Sequence, residues 1–184
     1  MTRSPEMPVT SRTTVALAAL LLAAPPVAAQ SLQRWSIQGS AAVIAPVSVP
    51  EGLDSDIGLG FDAQLRYTFS RWSLGAGYQR SDVYNAPASD LTIALSLGFL
   101  EPRYVAFASG PAAGYLAGRL GAGQLDCSRD RCDDTWHVVG GGGGGVLFKL
   151  GERLSLDIGA QYFVVTDASS SDYATARVGL GVGL

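Results

Sequence analysis

Lysine is nearly absent from this chain of 184 residues: of 13 basic side chains, Lys149 is the one lysine. A soluble all-β domain dresses its outer face and sheet edges in charge, lysine above all, whereas charged residues make up only 16% of this sequence. Histidine is confined to His137 and cysteine to Cys127 and Cys132. A triad of nucleophile, base and orienter therefore has a single histidine to draw on. A basic surplus is also missing: the formal net charge is −3, which excludes the electrostatic footprint of a nucleic-acid binder. Beyond the N-terminal segment no run is long and apolar enough for a membrane helix. If the chain spans a membrane, it must do so as a closed barrel.

The N-terminus reads as an export signal. Arg3 and Arg12 supply positive charge, Val15 to Ala24 is apolar, and Val27-Ala28-Ala29 has the small-residue cleavage pattern. Ten apolar residues fall short of the ~20 that a spanning helix needs. The expected organisation is a signal peptide at 1–29, cut before Gln30, and one barrel domain at 30–184. The mature part, 184 − 29 = 155 residues, suits a single domain and keeps 11 basic and 15 acidic side chains, a formal charge of −4.

Period-two alternation dominates the rest. Leu59, Phe61, Ala63, Leu65, Tyr67 and Phe69 alternate with Gly60, Asp62, Gln64, Arg66 and Thr68. After Ser70-Arg71 alone, Trp72, Leu74, Ala76 and Tyr78 alternate with Ser73, Gly75, Gly77 and Gln79, which makes a tight hairpin. Six further strands follow from the same pattern: about 33–45, from Leu91 through Phe99, about 113–124, about 135–149, from Leu154, and from Ala174 to Leu184. The glycine run Gly140–Gly145 is read as strand, because small residues on a strand leave room for large side chains across a narrow lumen. Eight is the even number that single-chain bacterial barrels require.

The connections alternate in length. Pro46–Ile57, Ser81–Asp90, Leu125–Asp134 and Thr166–Asp172 are long and polar, whereas Ser70-Arg71, Ser109-Gly110-Pro111 and Leu150-Gly151-Glu152 are short. Short periplasmic turns and long extracellular loops are the layout of an outer-membrane barrel. The apolar face is expected to meet lipid, including Ile93, Leu95, Leu97 and Phe99. Tyr67, Phe69, Trp72, Tyr104, Phe107 and Phe148 would form one aromatic girdle, and Tyr78, Trp136, Tyr162 and Tyr173 the other. The small, polar face would line the lumen with Asp62, Arg66, Arg119, Asp157 and Arg177. Glu101 and Arg103 join them if a bulge near Leu100 and Pro102 shifts the register. Such charges must pair, and the planar fork of arginine suits that network better than lysine does.

With this pattern of strands, loops and termini, the mature chain resembles the OmpA/OmpX-like eight-stranded outer-membrane β-barrel proteins. Its last eight residues, Arg177-Val-Gly179-Leu-Gly-Val182-Gly-Leu184, look like the C-terminal insertion signal of that class, with Leu184 where an aromatic residue is usual. The resemblance implies periplasmic chaperones and the barrel-assembly machinery as partners in biogenesis, and outer-membrane lipids as surroundings. It implies no single activity, because the class includes structural, adhesive, resistance and enzymatic members.

Two sites remain to be weighed. His137 as the general base of a lipid-modifying barrel would, by likeness to the deacylase type, want a serine two residues on; Val139 stands there. Cys127 and Cys132 in an exported loop point to a disulfide, although the surrounding Asp126, Asp130, Asp133 and Asp134 also offer oxygen ligands of the kind Ca²⁺ takes. That loop's spacing matches no calcium motif, so no metal and no cofactor is expected. The expected fold is therefore an all-β, eight-stranded antiparallel up-and-down transmembrane barrel. The expected function is non-enzymatic: a structural or surface-recognition role in adhesion or envelope integrity, through long loops that meet an extracellular partner. A lipid-modifying enzyme and a soluble exported barrel holding an apolar ligand are the alternatives.

Overall fold

A strand with one polar and one apolar face still has two unpaired edges, and closing the sheet on itself removes both. The computed structural model shows that solution: eight antiparallel strands in sequence order form a closed barrel. They are β1 Trp35–Pro46, β2 Gly58–Phe69, β3 Trp72–Ala86, β4 Leu91–Ser109, β5 Ala112–Cys127, β6 Trp136–Lys149, β7 Leu154–Val165 and β8 Tyr173–Gly183. The structure describes residues 34–47, 56–86, 91–127, 136–166 and 172–184, with the backbone alone at 84–86, 91, 92 and 127. The expected signal peptide and its cleavage site lie outside these residues.

The seam is β1 against β8, from Ser36 opposite Gly183 to Pro46 opposite Tyr173. Strand stagger follows from the pairing. From Ala41 the ladder leads through Phe61, Arg80 and Ser96 to Gln124. The other way round it leads through Val178, Ile158 and Val146 to Gly114. The two arrival points differ by 124 − 114 = 10 residues along β5. That shear fixes the strand tilt and makes the interior just wide enough for side chains to fill.

Alternation sorts the side chains between two environments. Phe61, Leu65, Leu74, Leu100, Leu116, Leu120, Ile158, Val178 and Leu180 stand exposed on the outer wall, while Gln64, Arg66, Gln79, Arg119, Asp157, Gln161 and Arg177 are buried inside. An apolar wall of this extent costs free energy in water and gains it in lipid. At the short-turn end Trp35 packs on Tyr67 at 4.8 Å between ring centroids, and Trp72 on Tyr104 at 4.9 Å, which builds one aromatic belt. The first short turn places Ser70 at φ 55°, and the second places Gly110 at φ 55°. Only glycine adopts that conformation without steric cost.

Strand β4 departs from expectation. Leu95, Leu97 and Phe99 point into the lumen, not toward lipid, and the ladder runs through Leu100 and Pro102 without a bulge. Glu101 and Arg103 are lumenal on the same unbroken parity. Turning these two charges outward would strand them in lipid, so an uninterrupted strand must carry its odd-numbered apolar residues inward as well. The irregularities fall instead between Asp82 and Tyr84 and between Val105 and Phe107. Two long connections begin later than expected, because β3 continues to Ala86 and β5 to Cys127. Tyr78 therefore lies mid-strand, and Tyr173 is buried in the lumen with Phe163, so neither belongs to an upper girdle.

Candidate functional site

The lumen is built in two layers. In the lower layer Glu101, on β4, is fully buried and receives all four lumenal arginines. Arg66 Nη2 and Arg103 Nε each reach Oε1 at 2.7 Å. Arg119 donates to Oε2 through both Nε and Nη2. Arg177 bridges the carboxylate, with Nη1 at 3.2 Å from Oε2 and Nη2 at 3.3 Å from Oε1. Gln161 Nε2 donates to Oε2 as well. Such density is supportable because each guanidinium brings a planar fork of donors.

The other two carboxylates lie around this hub. Asp157 meets Arg103 Nη1 at 2.7 Å and Arg177 Nη2 at 3.8 Å, and it accepts a hydrogen bond from the Tyr115 hydroxyl. Asp62 lies 3.4 Å from Arg119 and 3.8 Å from Arg177. Four arginines against three carboxylates leave this cluster one positive charge in excess. Amides spread it further: Gln38 accepts from Gln64 and Arg66, and Gln79 accepts from Arg119. Glycines supply the space. A Cβ at Gly145 would come within 2.6 Å of the Tyr115 hydroxyl, and one at Gly75 would collide with Gln64 and Arg66.

The upper layer is apolar. Ile44, Val83, Leu95, Leu97, Phe99, Val139, Phe163, Val165 and Tyr173 pack together across the barrel with exposures of 7% or less. Where the layers meet, a cavity of about 10 Å³ is lined by Asp62, Gln79, Ser81, Gln161, Thr175 and Arg177 among others. That is room for about one water molecule.

Asp62, Arg66, Glu101, Arg103, Arg119, Asp157 and Arg177 thus all meet in one ion-pair cluster. His137 stands apart, half-buried near the long-connection end, with Nδ1 3.2 Å from the carbonyl oxygen of Thr166. Among the described residues no group of three His, Cys, Asp or Glu side chains could hold a metal ion. The backbone of Cys127 closes β5 opposite Ile93; its side chain and Cys132 lie outside the described residues. Of the C-terminal motif, Arg177 and Gly179 face the lumen, Val182 and Leu184 face outward, and Leu184 N donates to Trp35 O across the seam.

Sequence reasoning missed the upper plug, although its signal was present. Ile44, Val139, Phe163, Val165 and Tyr173 all extend the lumenal parity of their strands beyond the polar positions. It also missed Tyr115 and Gln161, which satisfy Asp157 and Glu101.

Known structures share this architecture. Neisserial surface protein A superposes with a TM-score of 0.68 at 20% identity, covering 83% of this chain and 98% of that one. The N-terminal β-barrel domain of Pseudomonas aeruginosa OprF gives 0.55 at 14% identity, over 82% and 97%. Ail, the attachment invasion locus protein of Yersinia pestis, gives 0.52 at 15% identity, over 80% and 95%. No curated protein matches the sequence. The sequence model of outer membrane protein beta-barrel domains, however, matches residues 14–184. That match spans all eight strands of the closed barrel, and this chain belongs to the outer membrane protein beta-barrel domain family.

Proposed function

We propose that this outer-membrane barrel is a non-conducting, non-enzymatic scaffold that acts through its long connections, in surface recognition or in the integrity of the envelope. The observation that supports the reading is the filled lumen. The apolar plug from Ile44 to Tyr173 lies over the Glu101 cluster, so packed side chains occupy the lumen at two heights. Both carboxylate oxygens of Glu101 are taken by guanidinium donors, so it is a poor general base. Chemistry is then left to the rim, where loops on a rigid scaffold carry recognition.

The rim has a character of its own. The long connections between the observed strands carry nine carboxylates: Glu51, Asp54, Asp56, Asp90, Asp130, Asp133, Asp134, Asp167 and Asp172. Against them stand Arg129 and Arg131, for a balance of 2 − 9 = −7. A surface of this sign favours cationic partners and repels polyanions. Planar-bilayer recording tests the closed lumen, with no stepwise current expected from the folded barrel. Regular unitary steps would end the scaffold reading. Replacing 128–134 by a Gly-Ser linker removes three aspartates and two arginines, one net charge, so a loss of adhesion to a cationic surface such as polylysine with heat-modifiable migration intact would report a contact made by this loop itself. Unchanged adhesion would remove that loop from the function.

A further inference from the structure

The outer wall carries one polar patch. On the described strands its lipid-facing residues are apolar, aromatic or glycine except on neighbouring β3, β4 and β5. There Arg80, Asp82, Ser96, Gln124 and Asp126 turn outward. Arg80 is the cation of this wall. Arg66, Arg103, Arg119 and Arg177 face the lumen, and Lys149, opposite Ser155, faces the lumen side of the short-turn mouth. The patch is ordered: Arg80 Nη1 donates to Ser96 Oγ and to Asp126 Oδ2, each at 3.1 Å, and Ser96 Oγ donates to the same Oδ2 at 3.0 Å.

Depth is set by the strand. Arg80 lies eight residues beyond Trp72 of the lower aromatic belt on β3. At about 3.3 Å per residue and a tilt of about 40°, that is roughly 20 Å up a band about 25 Å tall. A cation is costly at mid-depth in lipid and cheap at the boundary, so Arg80 sits just below the upper interface. Among the described residues both of its hydrogen bonds use Nη1. The Nε and Nη2 edge of the fork makes no hydrogen bond to a described residue, and Arg80 is 46% exposed in its side chain. That edge matches two oxygens of a phosphate.

We propose that Arg80, held by Ser96 and Asp126, is a docking point for the phosphate of a lipid headgroup in the outer leaflet. Asp126 orients the guanidinium from above. The free edge then takes the phosphate, while Tyr78 and Ala122, exposed below on the same wall, meet the acyl chains. The site makes the β3–β5 side of the barrel the side that a phosphorylated lipid occupies preferentially.

The test uses the folded barrel in nanodiscs of mixed phosphatidylglycerol and digalactosyldiacylglycerol, the second lipid lacking phosphate. Native mass spectrometry should show retained phosphatidylglycerol in excess. Arg80→Gln should reduce that excess about tenfold, whereas Arg153→Gln in a short turn should not. Equal retention by wild type and Arg80→Gln overturns the proposal. Should Arg80→Gln not fold, ¹⁵N–³¹P dipolar recoupling on the wild-type barrel decides, since absence of a guanidinium–phosphate contact at Arg80 refutes it. Disulfide dimers of a Gln124→Cys barrel that depend on Arg80 would show a second copy on the patch, and would also overturn it.

Discussion

The guanidinium of Arg119 lies 3.8 Å over the ring of Phe99 while donating to Glu101 through Nε and Nη2. This single side chain joins the two layers of the lumen: its edge serves the ionic cluster and its face serves the apolar plug. A cation on an aromatic face is attracted electrostatically, more strongly where water is excluded. Phe99 and Glu101 lie two residues apart on β4, so one stretch of one strand carries the junction.

Glu101 is the position on which the cluster depends. Replacing it by Gln keeps the shape but removes the one carboxylate shared by Arg66, Arg103, Arg119 and Arg177. The expected loss is roughly 3–5 kcal/mol, the range for breaking a buried pair. Urea unfolding in lipid vesicles measures it. A loss below ~1 kcal/mol, the scale of an exposed pair, would mean that water reaches the cluster.

The inward turn of β4 makes two leucines inequivalent. Leu97 is 1% exposed inside the barrel and Leu120 is 62% exposed on the wall. Leu97→Ala leaves a cavity that the plug closes only in part, whereas lipid chains fill the space left by Leu120→Ala. Leu97→Ala should therefore cost about 1–3 kcal/mol more, the share that a residual cavity adds. Unfolding both variants side by side would expose a wrong register as an equal or reversed order.

Removing Val182 to Leu184 should abolish assembly. Val182 pairs with Ile37 on β1 and Leu154 on β7, and Leu184 N bonds to Trp35 O. The truncation opens the seam at the short-turn end and deletes the expected insertion signal. Normal outer-membrane levels of the shortened chain would contradict both roles.

The Cys127–Cys132 disulfide remains an expectation with a direct assay. Cys127 ends β5, and the bridge would close a very short loop, so its effect on barrel stability should be modest. On intact cells, thiol reagents should label both residues only after reduction. Full labelling without reductant would show that no bridge exists. Resistance even after reduction would place the loop on the other side of the membrane.

Local alternation was enough to read the architecture. Asp62, Gln64 and Arg66 against Phe61, Leu65 and Tyr67 commit β2 to a polar and an apolar face. Eight such strands with short and long connections in turn leave a closed antiparallel barrel as the arrangement without edges. Near-absence of lysine and the apolar outer rows then assign the apolar face to lipid. What the sequence by itself determined was therefore strand, order, closure and the parity of most side chains, because each depends on residues two apart or on adjacent strands.

Only the tertiary structure decided what the lumen contains at each height. The run Leu95, Leu97, Phe99 looks the same whether it meets lipid or a plug. The choice is set by Glu101 and Arg103 farther down the same strand, and by Ile44, Val139, Phe163 and Tyr173 from four other strands. Likewise the count of buried charges was legible, but the convergence of four arginines on Glu101 was not. It depends on a stagger of ten residues around the barrel, which brings positions 62, 101, 119 and 177 into contact although nothing local relates them.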